Sequence, residues 1–148
     1  IFISNPQICE TFKQEINRAG YSQLNVAGLV GCEAAYSDGE EWYEAMKAYV
    51  AANIEYTKEY VEQYLSGVSM THPNVPDATY LVWLDFRGTG LGVEELEDLI
   101  IHKAKLWLDS GKIFGEKGKG FQRINVACPR ATLTEALERI RKALEERE

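Results

Sequence analysis

The sequence predicts an α/β chain in which a helix-covered mixed or antiparallel sheet, of α+β type, sits at the end of one long helix. Three observations predict it. Trp42, Met46, Tyr49, Val50, Ile54, Thr57, Val61 and Leu65 recur at helical spacing. Residues 79–86, Thr-Tyr-Leu-Val-Trp-Leu-Asp-Phe, are apolar on both sides of an extended chain and belong inside a sheet. Residues 120–130 alternate, so that Phe121, Arg123, Asn125 and Ala127 share one face and Gln122, Ile124, Val126 and Cys128 the other. The order of elements reads strand, helix, helix, long helix, strand, helix, strand, strand, helix.

The elements follow in turn. Ile1-Phe2-Ile3 is an apolar, strand-like triplet with no Met and no polar leader, the expected look of a piece of a longer protein or of a processed one. Asn5-Pro6 caps and opens a helix with its stripe at Ile8, Phe12 and Ile16, and Gly20 stops it. Residues 24–36 are rich in small side chains, which suit tight packing or the close approach of another backbone. Ser37 and Glu40 have capping-box spacing at the head of the long helix, about 27 residues or roughly 40 Å at 1.5 Å each. Such a helix is longer than a small domain is wide and would serve as a spine between two domains. Its five tyrosines (Tyr43, Tyr49, Tyr56, Tyr60 and Tyr64) read as packing and rim residues.

Strand-like sequence begins at Val68, with a turn at Val75-Pro76-Asp77. Tyr80 and Trp83 read as core. Gly88, Gly90 and Gly92 break the strand, and residues 93–104 form a helix on Leu96, Leu99 and Ile100. The alternation of Leu106 and Leu108 favours a strand over 105–108. The run Gly115-Glu116-Lys117-Gly118-Lys119-Gly120 has the composition of a phosphate loop, but a Walker loop needs Lys after its last Gly, where Phe121 stands. A mobile hairpin is the better reading. Thr132 with Glu135 then opens a capped C-terminal helix to Arg147.

Arg123 is the anomaly. A guanidinium among apolar neighbours is costly without an anionic partner, and its fork of donors suits a carboxylate or phosphate. No acidic residue stands two positions away on its face. Two partners fit: a ligand, or a carboxylate brought to a strand edge from elsewhere in the chain. Composition excludes other classes. The 148 residues are 45% hydrophobic and 26% charged, ordinary for a globular protein. The net charge of −7 argues against a nucleic-acid binder, and no stretch approaches the roughly 20 apolar residues of a membrane span. Cys9, Cys32 and Cys128 are odd in number and widely spaced, and His72 and His102 are the only histidines. They suggest reduced thiols in the cytoplasm and no metal site.

Residues 76–85, Pro-Asp-Ala-Thr-Tyr-Leu-Val-Trp-Leu-Asp, together with Gly115 and residues 118–130, Gly-Lys-Gly-Phe-Gln-Arg-Ile-Asn-Val-Ala-Cys-Pro-Arg, resemble the C-terminal part of the fold-type-I enzymes that use pyridoxal 5'-phosphate (PLP). Within them the chain is similar to the bacterial cystathionine β-lyase group, the C–S lyases once grouped with class I/II aminotransferases. The resemblance covers essentially the whole chain. It implies that Arg123 grips the α-carboxylate of an amino-acid or thioether substrate, with Asn125 supporting the strand or pocket. It also implies residues 1–36 as the end of the PLP-binding large domain, 37–66 as the interdomain helix and 67–148 as the small domain of a homodimer. The family's Schiff-base lysine and most of its cofactor cradle fall upstream of Ile1. The resemblance therefore implies no catalytic residue in this chain, no PLP bound by it alone and no activity in isolation. The implied parent reaction is β-elimination of a thiol, leaving pyruvate and ammonia. An aminotransferase shares every motif present, and a free-standing, non-catalytic binding module is the reading from another class.

Overall fold

The computed structural model describes residues 2–21, 24–71 and 78–147. The chain divides into two compact units, Ile1–Tyr43 and Glu44–Glu148. In the first, helix α1 spans Pro6–Arg18, with Asn5 Oδ1 accepting from the backbone N–H groups of Gln7 and Ile8 at 2.9 and 3.1 Å. Gly20 ends it in the left-handed region at φ +77°, where a side chain would be strained. Helix α2 spans Val26–Asp38, opened by Asn25 Oδ1 accepting from Gly28 N–H at 2.7 Å. None of its residues is buried, so the tight packing suggested by its small side chains is not made among the described residues. Residues 2–4 form no strand: no described segment pairs with them.

Helix α3 spans Glu40–Tyr64, 25 residues, close to the predicted length. Its predicted cap is wrong. Ser37 lies inside α2, and the break comes at Gly39, whose carbonyl accepts from Tyr43 N–H at 2.9 Å. A capping box cannot form where the cap residue is itself helical.

The second unit holds a four-stranded, wholly antiparallel sheet in the order β1-β2-β4-β3. Its strands are β1 (Ser69–Met70), β2 (Leu81–Asp85), β3 (Asp109–Ser110) and β4 (Phe121–Asn125). Val82, Leu84 and Ile124 point into a core shared with Ile54 and Val61 of α3 and with Leu133, Leu137 and Ile140 of helix α5 (Arg130–Glu145). Leu96 of helix α4 (Val93–Asp98) joins it, with Leu99 and Ile100 from the π-helical turn Leu99–Lys103 that continues α4. Burying such a side chain stabilises by about 1.5–3 kcal/mol, which is why alternation fixes the face of each strand.

Three details correct the sequence reading. The segment 105–108 is irregular, because Lys105 takes φ +55°, and pairing starts only at Asp109. The Gly/Lys segment is the hairpin connection, but it is built as two tight turns, Gly111–Phe114 and Glu116–Gly118, locked against each other. A Cβ on Gly111 would lie 2.0 Å from the carbonyl oxygen of Gly118, so only glycine permits this crossing. Helix α5 begins at Arg130, not Thr132, because the Arg130 N–H already has a partner in the hydroxyl of Tyr49 at 2.7 Å. The predicted turn at Val75-Pro76-Asp77 lies outside the described residues.

Candidate functional site

Arg123 stands mid-strand on β4, directly opposite Trp83 on β2 and Asp109 on β3. It projects from the face of the sheet away from the core, and its side chain is 24% exposed. Its anion is Asp109. Nε–H and an Nη2–H donate to the same oxygen, Oδ2, at 3.1 and 2.6 Å. The carboxylate thus comes from elsewhere in the chain, 14 residues upstream and on a strand that spacing alone did not reveal. Trp83 and Phe114 supply aromatic surface. The guanidinium carbon lies 4.7 Å from the Phe114 ring centre and 5.9 Å from that of Trp83, and the two rings meet edge to face at 5.1 Å.

Trp83 and Tyr80 are therefore not core. Trp83 is half-buried on the outer face, because period-2 alternation sends Val82 and Leu84 inward, and Tyr80, which precedes the first residue of β2, is 47% exposed. The guanidinium has two forked edges. Asp109 takes the Nε–Nη2 edge, while Nη1 makes no hydrogen bond among the described residues. The edge formed by Nη1 and the second Nη2–H is left able to grip a second carboxylate through two parallel bonds. A cleft of about 330 Å3 opens beside it, lined in part by Trp107, Asp109, Asn125 and Cys128.

Asn125 ends β4 on the exposed side, and its Oδ1 accepts from Ala127 N–H at 2.9 Å. That bond turns the chain out of the strand toward α5. No hydrogen bond joins Asn125 to Arg123 among the described residues. Burial pushes the Cys128 thiol above its ordinary value, which disfavours the thiolate. Further along the same face, Asp85 accepts from Arg87 Nε and Nη2 at 2.9 and 2.7 Å, and Arg87 lies 4.6 Å over the Phe121 ring. The Arg87 hydrogen bonds hold the Asp85 carboxyl below its usual range.

Two polar groups on the core side escaped the sequence reading. Asn53 of α3 is fully buried. Its Nδ2 donates to the carbonyls of Val126 and Cys128 at 2.8 and 2.9 Å, and its Oδ1 accepts from Arg130 Nε at 2.7 Å. This clamp fixes the chain where it leaves β4, just past the arginine. Gln122 is 2% exposed and, with Ser110 and Lys112, hydrogen-bonds Glu97. Burial pushes the Glu97 carboxyl up, but these donors outweigh it and leave it lowered. Both signals were present as polar residues within apolar stripes: Asn53 between Val50 and Thr57, Gln122 beside Ile124.

Among the described residues there is no group of His, Cys, Asp and Glu that could hold a metal ion, and no helix is long and apolar enough to cross a membrane. No family model matches the chain. It is 37% identical over 133 residues to the cystathionine β-lyase PatB of Bacillus subtilis, covering 90% of this chain and 34% of that protein. Its structure superposes on PLP-containing cystalysin from Treponema denticola with a TM-score of 0.86 and 31% identity, covering 99% of this chain and 36% of that one. The PLP-bound C–S lyase of Staphylococcus hominis gives a TM-score of 0.80 at 27% identity, covering 97% of this chain and 36% of the other. The chain spans about a third of the length of the relatives it matches. It has the α/β fold of the C-terminal part of fold-type-I PLP-dependent enzymes and is similar to their cystathionine β-lyase group.

Proposed function

We propose that this chain is the C-terminal part of a PLP-dependent C–S β-lyase of cystathionine β-lyase type, and that Arg123 receives the α-carboxylate of its amino-acid or thioether substrate. One observation carries the role of Arg123: its guanidinium is held on one edge by Asp109 and left open on the other, on a half-buried face beside a cleft. A carboxylate on the open edge would make charge-assisted bonds against aromatic surface, where they are stronger than in water. Asn125 contributes indirectly, by turning the chain at the end of the strand that bears the arginine.

The described residues around the cleft at Arg123 do not fit the role of carrying the cofactor. No lysine lines the cleft beside Arg123 among the described residues, and of the lysines nearby Lys112 pairs with Glu97 and Lys119 with Glu116, each at 2.7 Å. PLP supplies the electron sink for this chemistry, and we assign its lysine and cradle to the remaining two-thirds of the protein. What this chain does is bind and orient: a carboxylate fixed at Arg123 sets the angle at which the substrate's Cα bonds meet the reacting centre. On this reading residues 1–36 close the cofactor domain, 37–66 form the spine and 67–148 the small domain. A homodimer in the cytoplasm completes the assignment, and the three free cysteines are consistent with that compartment.

The test is Arg123→Ala in the full-length protein. Loss of the grip should lower kcat/KM for a thioether amino acid by roughly 100- to 1,000-fold, the range for truncating one partner of a charged pair. An unchanged kcat/KM overturns the assignment. Product analysis separates the reaction classes: pyruvate with a thiol supports the lyase, while amino transfer to a 2-oxo acid makes the protein an aminotransferase.

A further inference from the structure

We infer that Asp109 is the positioning residue for Arg123, and that it acts as a hydrogen-bond acceptor through one oxygen rather than as a charge. The inference rests on the carboxylate-binding role of Arg123 and deepens it. An arginine side chain has four rotatable bonds, and a solvated guanidinium would spend most of its time away from any one orientation. Here both donors of one edge converge on Asp109 Oδ2, at 3.1 Å from Nε and 2.6 Å from Nη2. These bonds fix which edge of the guanidinium faces the strand, and the Phe114 ring 4.7 Å from the guanidinium carbon restrains the roll of its plane. It leaves the opposite edge as the one presented.

The acceptor is itself fixed by backbone. Asp109 is the first residue of the two-residue strand β3 and pairs directly with Arg123, while the next residue, Ser110, pairs with Gln122. The Gly111–Gly118 crossing follows at once and ties the strand to the turn that carries Phe114. One short hairpin therefore delivers both the acceptor and the ring that lies 4.7 Å from the guanidinium. Asp109 Oδ1 makes no hydrogen bond among the described residues, and the side chain is 45% exposed. A half-exposed charge is screened by water, so its Coulombic contribution is small beside the geometric one.

The experiment compares Asp109→Ala and Asp109→Asn in the full-length protein, with Arg123→Ala alongside. An amide carbonyl can accept both N–H bonds as Oδ2 does, so Asp109→Asn should keep kcat/KM within about threefold of wild type. Asp109→Ala should lower kcat/KM for the amino-acid substrate by about 10- to 100-fold. The second readout is inhibition by a small carboxylate against inhibition by the matching amine that lacks the carboxylate. Asp109→Ala should weaken the first and leave the second unchanged, whereas general damage to the fold moves both. Equal losses in Asp109→Asn and Asp109→Ala overturn the single-acceptor role, and an unchanged Asp109→Ala overturns positioning altogether. If Arg123→Ala is also silent, it is the carboxylate site that fails. If Arg123→Ala is impaired and Asp109→Ala is not, only the positioning inference falls.

Discussion

Replacing Asn53 should cost more stability than any other single polar change in the second unit, and the structure sets the scale. The side chain is 0% exposed and makes three hydrogen bonds between 2.7 and 2.9 Å. Its loss orphans the Val126 carbonyl, which sits in a fully buried residue, at about 1–3 kcal/mol. The Cys128 carbonyl and Arg130 Nε lie nearer solvent and can recruit water, so each should cost about 1 kcal/mol. The total is about 3–5 kcal/mol against the 5–15 kcal/mol by which domains of this kind are stable. The assay is urea denaturation of wild type, Asn53→Ala and Asn53→Leu, compared by midpoint and slope. Leucine refills most of the volume but supplies no donor. If hydrogen bonding is the cause, leucine should stay at least 2 kcal/mol below wild type. Recovery to within about 1 kcal/mol would mean that the cavity, not the clamp, carries the loss, and the reasoning would be refuted.

Other expectations follow from the same geometry. Burial, together with the Glu138 carboxylate 2.5 Å away, pushes the Tyr60 hydroxyl from 10.0 up to about 12. The folded state thus favours the neutral phenol, and this contribution should be complete below pH 10, fade between 10 and 12, and vanish from the alkaline stability curve of Tyr60→Phe. Glu97 is lowered, so its contribution is present above the ordinary carboxylate value and is lost as the pH falls below that value, through the lowered folded-state one. Lys112→Met should therefore raise the pH at which acid unfolds the protein, read by circular dichroism, and an unmoved acid midpoint would contradict the Glu97 network. Gly111→Ala forces a Cβ to 2.0 Å from the Gly118 carbonyl oxygen, so it should destabilise by about 2 kcal/mol or more and lower kcat/KM of the full-length protein with it. Wild-type melting in that variant would show that the two turns are not locked.

The sequence carried the parts of the fold that local chemistry decides. Asn5 and Pro6 announce the start of α1 because a cap and a first-turn proline act within three residues. Alternation correctly put Ile124 and Val126 on one face and Arg123 on the other because the strand period is fixed by the backbone. Failures cluster where a distant segment decides. Ser37 satisfied a capping pattern that Gly39 pre-empted by breaking the helix two residues later. Trp83 looked like core because hydrophobicity alone does not say which face of a sheet has a helix over it, and Tyr80 because the strand begins only at Leu81. The strand β3 was placed too early, since two residues of pairing leave almost no periodic trace.

The same distinction explains why Arg123 could be found while its surroundings could not. An arginine in an apolar strand violates a local expectation, so it is visible in one dimension. What makes it usable is tertiary. An acceptor 14 residues away must take one edge of the fork, a ring from a glycine-locked turn must lie beside it, and a buried asparagine 73 residues from Val126 must hold the strand's exit. None of these partners is anomalous in its own segment. Asp109 reads as a loop acid, Phe114 as a stray aromatic and Asn53 as a polar interruption in a helix. Their roles appear only once the sheet order β1-β2-β4-β3 brings them to one strand. The carboxylate grip proposed for Arg123 is therefore specified less by the arginine than by the few groups that leave one edge of the guanidinium open.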